Sequence, residues 1–224
     1  MNPAPRFITF EGGEGTGKST QTKRLAAALS ANGIEVVTTR EPGGSPGAED
    51  VRKLVVEGEP GRWDALTETL LMFAARTDHL ARTIRPALAR GQWVLCDRFT
   101  DSTFVYQGAG RGLDAASIAA IDRAATTEFR PDLTLVLDLP VETGLARARA
   151  RHASNARFER FDDDFHARMR MAFRALAERE PERCVLIDAT QPIDAVAADI
   201  WKMVAERFSL STSVLGERAR VRGP

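Results

Sequence analysis

The sequence predicts an α/β fold in which a five-stranded parallel sheet carries helices on both faces. Three observations support this prediction. Short apolar runs alternate with longer helical segments along the chain, as in sheets built from strand–helix–strand units. The run 133–139, LTLVLDL, is continuously apolar, which is typical of a strand buried on both faces. A glycine-rich turn also separates the first apolar run from the first helical segment.

The elements follow in order along the chain. The first strand contains Ile8 and Phe10, and further strands are predicted at 34–39, 93–97, 133–139 and 184–188. Helices are predicted at 18–32, 47–57, 65–90, 115–128, 141–151, 163–179 and 192–208, the first of them ended by Gly33. Residues 99–112 predict a short helix that opens into a loop, and the polar, unperiodic stretch 152–164 predicts a mobile loop.

These elements predict one domain over residues 1–208. The segment 209–224 has neither strand alternation nor a sustained apolar stripe, so we expect a flexible tail.

Composition excludes several classes of partner. The 31 basic residues balance 31 acidic ones, so no overall field attracts nucleic acid or an anionic membrane. No uncharged run approaches the roughly 18 residues of a membrane helix. Cys96 and Cys184 lie in apolar runs and are expected to be buried thiols of a reducing compartment. We therefore expect a cytoplasmic protein that binds neither nucleic acid nor membrane.

The glycine-rich turn matches the pattern GxxxxGKS through Gly12, Gly17, Lys18 and Ser19. In such loops the backbone N–H groups converge on a phosphate, and the following helix directs its positive end at it. Lys18 would bridge the β- and γ-phosphates, and the Ser19 hydroxyl would hold magnesium. The pattern predicts a nucleotide phosphate site.

Arginines on several separate loops suggest that two phosphorylated substrates meet at this site. Asp97 and Arg98 end one predicted strand, and Arg40 ends another, so all three emerge at the edge where α/β sheets bind ligands. Further arginines stand at positions 76, 147, 149, 151 and 157. The chain has no NKxD sequence and no DxxG after the third strand, which argues against a GTPase switch. Phosphoryl transfer depends mainly on positioning and charge neutralisation, which many arginines can supply.

Five motifs then identify a family. FEGGEGTGKST, REPGGS, LLMFAAR, DRFTDSTFVYQG and LIDATQP occur in that order between residues 7 and 192. Together they closely resemble the bacterial form of the thymidylate kinase family. The resemblance implies a P-loop NTPase fold with a small basic lid at about 147–160. It also implies phosphorylation of dTMP by ATP with Mg²⁺, giving dTDP and ADP, and a homodimer.

The resemblance also implies roles for individual residues. The ATP-binding residues would be Gly12, Gly13, Glu14, Gly15, Thr16, Gly17, Lys18, Ser19 and Thr20. Asp97 would orient the magnesium or its waters together with Ser19. The loop from 188 to 192, DATQP, would border the adenine, and Glu14 would lie near the sugar 3'-hydroxyl and the acceptor phosphate.

The acceptor site follows from the same resemblance. Phe73 would stack on the thymine ring, and Arg76 would hydrogen-bond a base carbonyl from the same helix face. Arg98 would clamp the monophosphate by bidentate contact, joined by Arg40. Thr103 and Gln107 would contact the pyrimidine edge, with Ser102 beside them. Tyr106 would lie near the sugar, where it disfavours a 2'-hydroxyl.

The lid is the least determined part of the site. Gly15 stands where eukaryotic-type members have an arginine, so transition-state charge must come from elsewhere. Arg147 and Arg151 share a helix face, and either one could reach the γ-phosphate, as could Arg157 from the loop. The family's lid often has Asp-Arg-x-Glu, whereas this chain has Ala-Arg-Phe-Glu at 156–159.

Two rival functions remain for comparison. A kinase acting on a nucleoside or another nucleotide would not need both Arg40 and Arg98 directed at an acceptor phosphate. A non-catalytic nucleotide sensor would not need Lys18, Asp97 and the lid arginines, all of which are present. Thymine and uracil differ by one methyl group, worth only about 1–3 kcal/mol in an apolar pocket, so the sequence does not decide between them.

Overall fold

A computed structural model describes residues 3–150 and 156–210 of the chain. Its sheet contains the strands β1 (Phe7–Glu11), β2 (Val36–Arg40), β3 (Trp93–Asp97), β4 (Leu133–Asp138) and β5 (Cys184–Asp188). All strand pairs are parallel, and the order across the sheet is β2-β3-β1-β4-β5. The predicted five-stranded parallel sheet is confirmed.

Ten α-helices are described around the sheet. They are α1 (Lys18–Ala31), α2 (Pro46–Val56), α3 (Ala65–His79), α4 (Arg85–Ala89), α5 (Thr100–Thr103), α6 (Ala115–Thr126), α7 (Val141–Ala150), α8 (Ala156–Glu159), α9 (Asp163–Arg179) and α10 (Ile193–Arg207). No helix in these ranges is long and apolar enough to cross a membrane.

Side chains alternate between the two faces of the sheet along each strand, so apolar residues project from both faces and both are covered. On β1, Ile8 and Phe10 belong to a core that is closed by α1 and α10. Phe7 points to the opposite face, where its ring meets Phe99 edge-on at 5.0 Å between centroids. The central position of β1 therefore fixes the loop after it relative to both layers.

The predicted helix at 65–90 is continuous but contains a widened turn. Leu80–Ile84 is π-helical, and the Arg85 N–H donates to the Leu80 carbonyl five residues back. Pro86 has no N–H to donate, so a regular α-helical bond is lost at this point, which accounts for the irregular turn.

Two segments predicted as loops are helical instead. The chain after α5 continues as a π-helix over Phe104–Gly110, and part of the segment 152–164 forms α8. The wider π turn brings the consecutive residues Tyr106 and Gln107 both into the interior, which an open loop would not do. Residues 151–155 of the predicted lid and 211–224 of the predicted tail lie outside the described residues.

Candidate active site

The loop between β1 and α1 is built so that only glycine fits at two positions. Gly12 and Gly15 have φ values of 130° and 70°, in the region that favours glycine. A side chain at Gly12 would collide with the Leu137 carbonyl, and one at Gly15 with the Gly144 carbonyl. An arginine at position 15 is therefore excluded by the backbone of α7, which explains why this loop carries no charge of its own there.

Lys18 lies folded over the phosphate loop. Its Nζ donates to the carbonyls of Gly12 and Gly13 at 3.1 and 2.7 Å. Burial, followed by the positive charge of Arg98, lowers the pKa of Lys18 to about 8, although the carboxylates of Asp97 and Glu14 act in the opposite direction. The ammonium group is thus poorly neutralised by the protein and is suited to an anionic ligand.

Ser19 and Asp97 form the part of the site that could hold a metal ion. The Ser19 hydroxyl lies 2.5 Å from Oδ2 of Asp97, where α1 begins and β3 ends. No cluster of three or more His, Cys, Asp or Glu side chains that could bind a metal occurs within residues 3–150 and 156–210. A hydroxyl and a carboxylate fit Mg²⁺, which usually takes its remaining ligands from phosphates and water.

Arg98 connects the phosphate loop to an inner cavity. It donates through Nη1 to the Gly12 carbonyl at 3.0 Å and through Nη2 to Glu14 at 2.8 Å, and its guanidinium lies 4.8 Å from the Tyr106 ring centroid. Tyr106 donates its hydroxyl to the same Glu14 oxygen at 2.7 Å. Burial alone would raise the pKa of Glu14, but Arg98 and Lys18 outweigh it and hold the pKa at about 2.

Glu11 holds the residues that follow Arg98 in place. Its carboxylate accepts from the Phe99 N–H at 2.8 Å and from the Ser102 hydroxyl at 2.5 Å. Burial and the nearby Asp101 raise the pKa of Glu11 to about 8. Arg98 itself has a left-handed φ of 71°, so these contacts hold a strained turn in place.

The inner cavity opens to solvent, and the space within it and its mouth together amounts to about 510 Å³. It is lined by Glu14, Glu41, Pro42, Arg52, Val56, Met72, Arg76, Arg98, Phe99, Ser102, Thr103, Tyr106, Gln107 and Phe158. Six of the eight residues predicted for the acceptor site are therefore brought together here, namely Arg76, Arg98, Ser102, Thr103, Tyr106 and Gln107.

Arg76 is fixed in the cavity wall by buried partners. Its Nε donates to Glu41 at 2.7 Å and its Nη2 to the Thr103 hydroxyl at 3.1 Å. The other Glu41 oxygen lies 3.0 Å from Nδ1 of His79, which is itself fully buried. Nη1 of Arg76 is buried and has no partner among the described residues, so it remains for a ligand.

Phe73 lies beside Arg76, as the sequence predicted, but outside the lining of the cavity. It is 2% exposed, does not line the cavity, and packs with its ring centroid 4.7 Å from the Arg76 guanidinium. Met72 lines the cavity instead. Met72, four residues before Arg76, therefore shares the cavity side of α3, and stacking of Phe73 on the base stays a prediction that the cavity lining does not support.

Arg40 reaches the expected edge of the sheet but does not line the cavity. Its Nη2 pairs with both Glu49 oxygens at 3.0 and 3.1 Å, and its side chain is 53% exposed. Arg52 occupies the cavity wall and donates to the Pro42 carbonyl at 2.6 Å. The sequence offered no signal for Arg52 beyond a positive charge within α2.

A second, outer cleft lies on the other side of the phosphate loop. It is lined by loop residues 15–17, by Thr20, by Arg147 from α7 and by residues 189–193 after β5. Nη1 of Arg147 approaches the Ala189 carbonyl at 3.4 Å. The structure thus joins the phosphate loop, the segment predicted to border adenine and one of the three candidate lid arginines. Arg151 lies outside the described residues.

Arg157, the third candidate, is turned away from both phosphate sites. It is 1% exposed and donates to the carbonyls of Val55, Glu59 and Pro60 at 2.8, 3.0 and 2.9 Å. Its charge is balanced by Glu68 at 2.5 Å. The predicted contact with the transferred phosphate is not made, because these groups already occupy the guanidinium.

Comparisons with known proteins show the family of the chain. The family model for thymidylate kinase matches residues 10–200. A thymidylate kinase of Caulobacter vibrioides is 56% identical over 204 residues, covering 91% of this chain and 98% of that protein. One of Magnetococcus marinus is 50% identical over 92% of this chain and 98% of its own length.

A solved structure extends the likeness to three dimensions. The crystal structure of thymidylate kinase from Ehrlichia chaffeensis has a TM-score of 0.72 and 34% identity, covering 90% of this chain and 99% of that one. The phosphate loop, the two cavities and these matches lead to one conclusion: the chain belongs to the thymidylate kinase family.

Proposed function

We propose that the chain transfers the γ-phosphoryl group of ATP to dTMP, giving dTDP and ADP. The observation that carries the proposal is that two cavities meet across one phosphate loop, with Glu14 lining the inner and Gly15 the outer cavity. An oxygen of the dTMP phosphate would attack the γ-phosphorus. The bond from that phosphorus to the bridging oxygen would break, and ADP would leave with the electron pair.

On the donor side, ATP would occupy the outer cleft. The loop N–H groups and the start of α1 would hold its phosphates, and Lys18 would exchange its two carbonyl contacts for phosphate oxygens. Ser19 and Asp97 would hold Mg²⁺. The ion would neutralise charge on the phosphates when bound.

On the acceptor side, dTMP would occupy the inner cavity. Arg98 is the phosphate clamp, since it lies within hydrogen-bond distance of both Gly12 and Glu14 at the cavity's inner end. Arg52 would assist it. Tyr106 is fixed by its bond to Glu14 and would stand against the sugar, leaving little space for a 2'-hydroxyl. Arg76, Thr103 and Gln107 would contact the base, and Met72 would pack on its face.

The charge on the transferring group would be balanced from α7 and the lid. Arg147 already faces the outer cleft, and Arg151, outside the described residues, is the other arginine that the sequence predicts for this role. Both remain candidates for the arginine that closes over the γ-phosphate, a role worth about 10³–10⁵ in rate in related phosphoryl transfers.

The experiment is product-resolved phosphate transfer from Mg-ATP to dTMP, dUMP, TMP with a 2'-hydroxyl, dCMP, dGMP and thymidine. We expect dTMP to be preferred, and Arg98→Ala to lose at least 100-fold in kcat/KM. Arg90→Ala, which changes an arginine remote from both cavities, is the control. Preference for thymidine or a purine nucleotide would contradict the acceptor assignment while leaving the phosphate loop intact.

We also propose a homodimer. Leu66 and Leu70, one turn apart on α3, are 46% and 51% exposed, and Leu54 on α2 is 41% exposed. Such neighbouring apolar side chains suit an interface between copies. Leu70→Arg should convert the dimer to monomer in light scattering, whereas Leu186→Arg should not. A reducing, cytoplasmic location is part of the proposal and is supported by two buried, unpaired thiols.

A further inference from the structure

We propose that Glu68 is a positioning residue that selects the base, because it fixes the orientation of the Gln107 amide in the inner cavity. The inference rests on the proposed use of dTMP as acceptor. Glu68 lies on α3 and does not itself line the cavity, so it acts only through its neighbour.

The Glu68 carboxylate is buried and held by two guanidinium groups. It is 0% exposed, with Arg157 at 2.5 Å from Oε2 and Arg111 at 3.1 Å from Oε1. A guanidinium group can only donate hydrogen bonds, so both oxygens of the Glu68 carboxylate face donors and serve as acceptors.

Gln107 must therefore turn its nitrogen toward Glu68. Its Nε2 donates to Glu68 Oε1 at 2.8 Å. The reverse orientation would set the amide oxygen against a carboxylate oxygen, and two acceptors repel. The Gln107 oxygen is thus the atom left for a ligand; it is buried and has no partner within the described parts of the chain.

The same cavity offers donors beside this acceptor. Nη1 of Arg76 is buried and without a partner among the residues described, and the Thr103 hydroxyl accepts from Arg76 Nη2, which leaves its own proton to donate. Thymine and uracil present an N–H next to carbonyl oxygens and complement this set. Cytosine has an unprotonated ring nitrogen and an amino group instead. Its ring therefore has no N–H to donate to the Gln107 oxygen.

The test compares kcat/KM for dTMP and dCMP on the same preparation, since that ratio does not depend on the folded fraction. In Glu68→Gln the new amide can offer a donor, which frees Gln107 to rotate and present Nε2 to the cavity. We expect the preference for dTMP over dCMP to fall at least tenfold. In Gln107→Leu it should fall as well, and Glu68→Gln should then add nothing further, because both changes act through one amide.

Arg157→Lys is the matched control. It weakens the same ion pair from the other side but leaves Glu68 to accept from Gln107, so Tm should fall while the base preference stays within twofold. Should Glu68→Gln fail to fold, the pair Glu68→Gln with Arg157→Met removes one of the two guanidinium charges that Glu68 balanced and is assayed instead. A preference unchanged in the Glu68 variants would overturn the inference, and failure of the unmodified chain to use dTMP would instead overturn the proposed function.

Discussion

Arg157 and Glu68 form an ion pair at 2.5 Å in which neither side chain is exposed to solvent. The pair ties α8 to α3. Through the Val55 and Pro60 carbonyls, Arg157 also holds the turn between α2 and α3. Phe158, next along the chain, lines the inner cavity and meets Tyr106 edge-on at 5.6 Å. The pair therefore anchors one wall of the acceptor site.

Arg157→Ala is expected to destabilise the fold by about 3 kcal/mol, because it removes one of the two cationic partners of the buried Glu68 carboxylate and the donor to three backbone carbonyls. Urea unfolding followed by circular dichroism measures this change. Arg160→Ala is the control: its ion pair with Glu59 is 45% and 80% exposed, so the loss should stay within about 1 kcal/mol. Unchanged stability together with a loss of kcat of several orders would return Arg157 to a role at the phosphate.

Met72 and Phe73 should respond differently to truncation. Met72→Ala removes part of the cavity wall and is expected to raise KM for dTMP about tenfold with little change in stability. Phe73→Ala opens a void in the core and should cost about 3–5 kcal/mol of unfolding free energy. Steady-state kinetics and urea unfolding on both variants measure this. A rise in KM for dTMP confined to Phe73→Ala would support stacking by Phe73 over packing by Met72.

The ion pair of Arg157 with Glu68 and the neighbours Met72 and Phe73 show which features could not be predicted from the sequence. The phosphate loop was predictable because its pattern is local and because the backbone conformation requires glycine at positions such as Gly12. The side of α3 that faces the cavity was not, since Met72 and Phe73 lie four and three residues before Arg76 and both spacings suit one helix face. Only packing against the sheet decides the rotation.

Charge patterns had the same limit. A lid arginine and a buried anchor look alike in sequence, because the partner Glu68 lies 89 positions before Arg157 in the chain. The sequence also did not predict the π-helical stretch after α5, because a widened turn depends on how neighbouring residues pack. Phe165 is one such neighbour: a side chain at Gly110 would come within 2.5 Å of its ring.

Lys18 should give the free enzyme a pH limit. Its pKa is lowered to about 8, first by burial and then by Arg98, so the ammonium charge that binds ATP is lost as pH rises through 8. We expect kcat/KM for ATP to fall about tenfold per unit above that pH, since this ratio reports groups in the free enzyme. In Lys18→Arg the guanidinium stays charged, so the falling limb should disappear whatever activity is left.

The same lysine should oppose folding at neutral pH. Its folded pKa lies below the unfolded value, so the unfolded chain binds more protons between about pH 8 and 10.5, and the penalty is relieved as pH rises through that window. Lys18→Met is therefore expected to be more stable than the unmodified chain at pH 7, by a margin that shrinks toward pH 10. Denaturant titrations at both pH values measure it. A margin that grows with pH would mean that the ammonium group is stabilised in the fold.

Magnesium use should depend on the 2.5 Å pair of Ser19 and Asp97. Ser19→Ala removes the hydroxyl ligand and Asp97→Asn removes the carboxylate charge, so each should raise the Mg²⁺ concentration for half-maximal rate about tenfold or more. Ser30→Ala, on an exposed position of the same helix, is the control and should leave the Mg²⁺ titration unchanged. Because neither Ser19 nor Asp97 lines the inner cavity, KM for dTMP should stay constant at saturating Mg²⁺. A variant that loses dTMP affinity but keeps its Mg²⁺ titration would place the residue on the acceptor side instead.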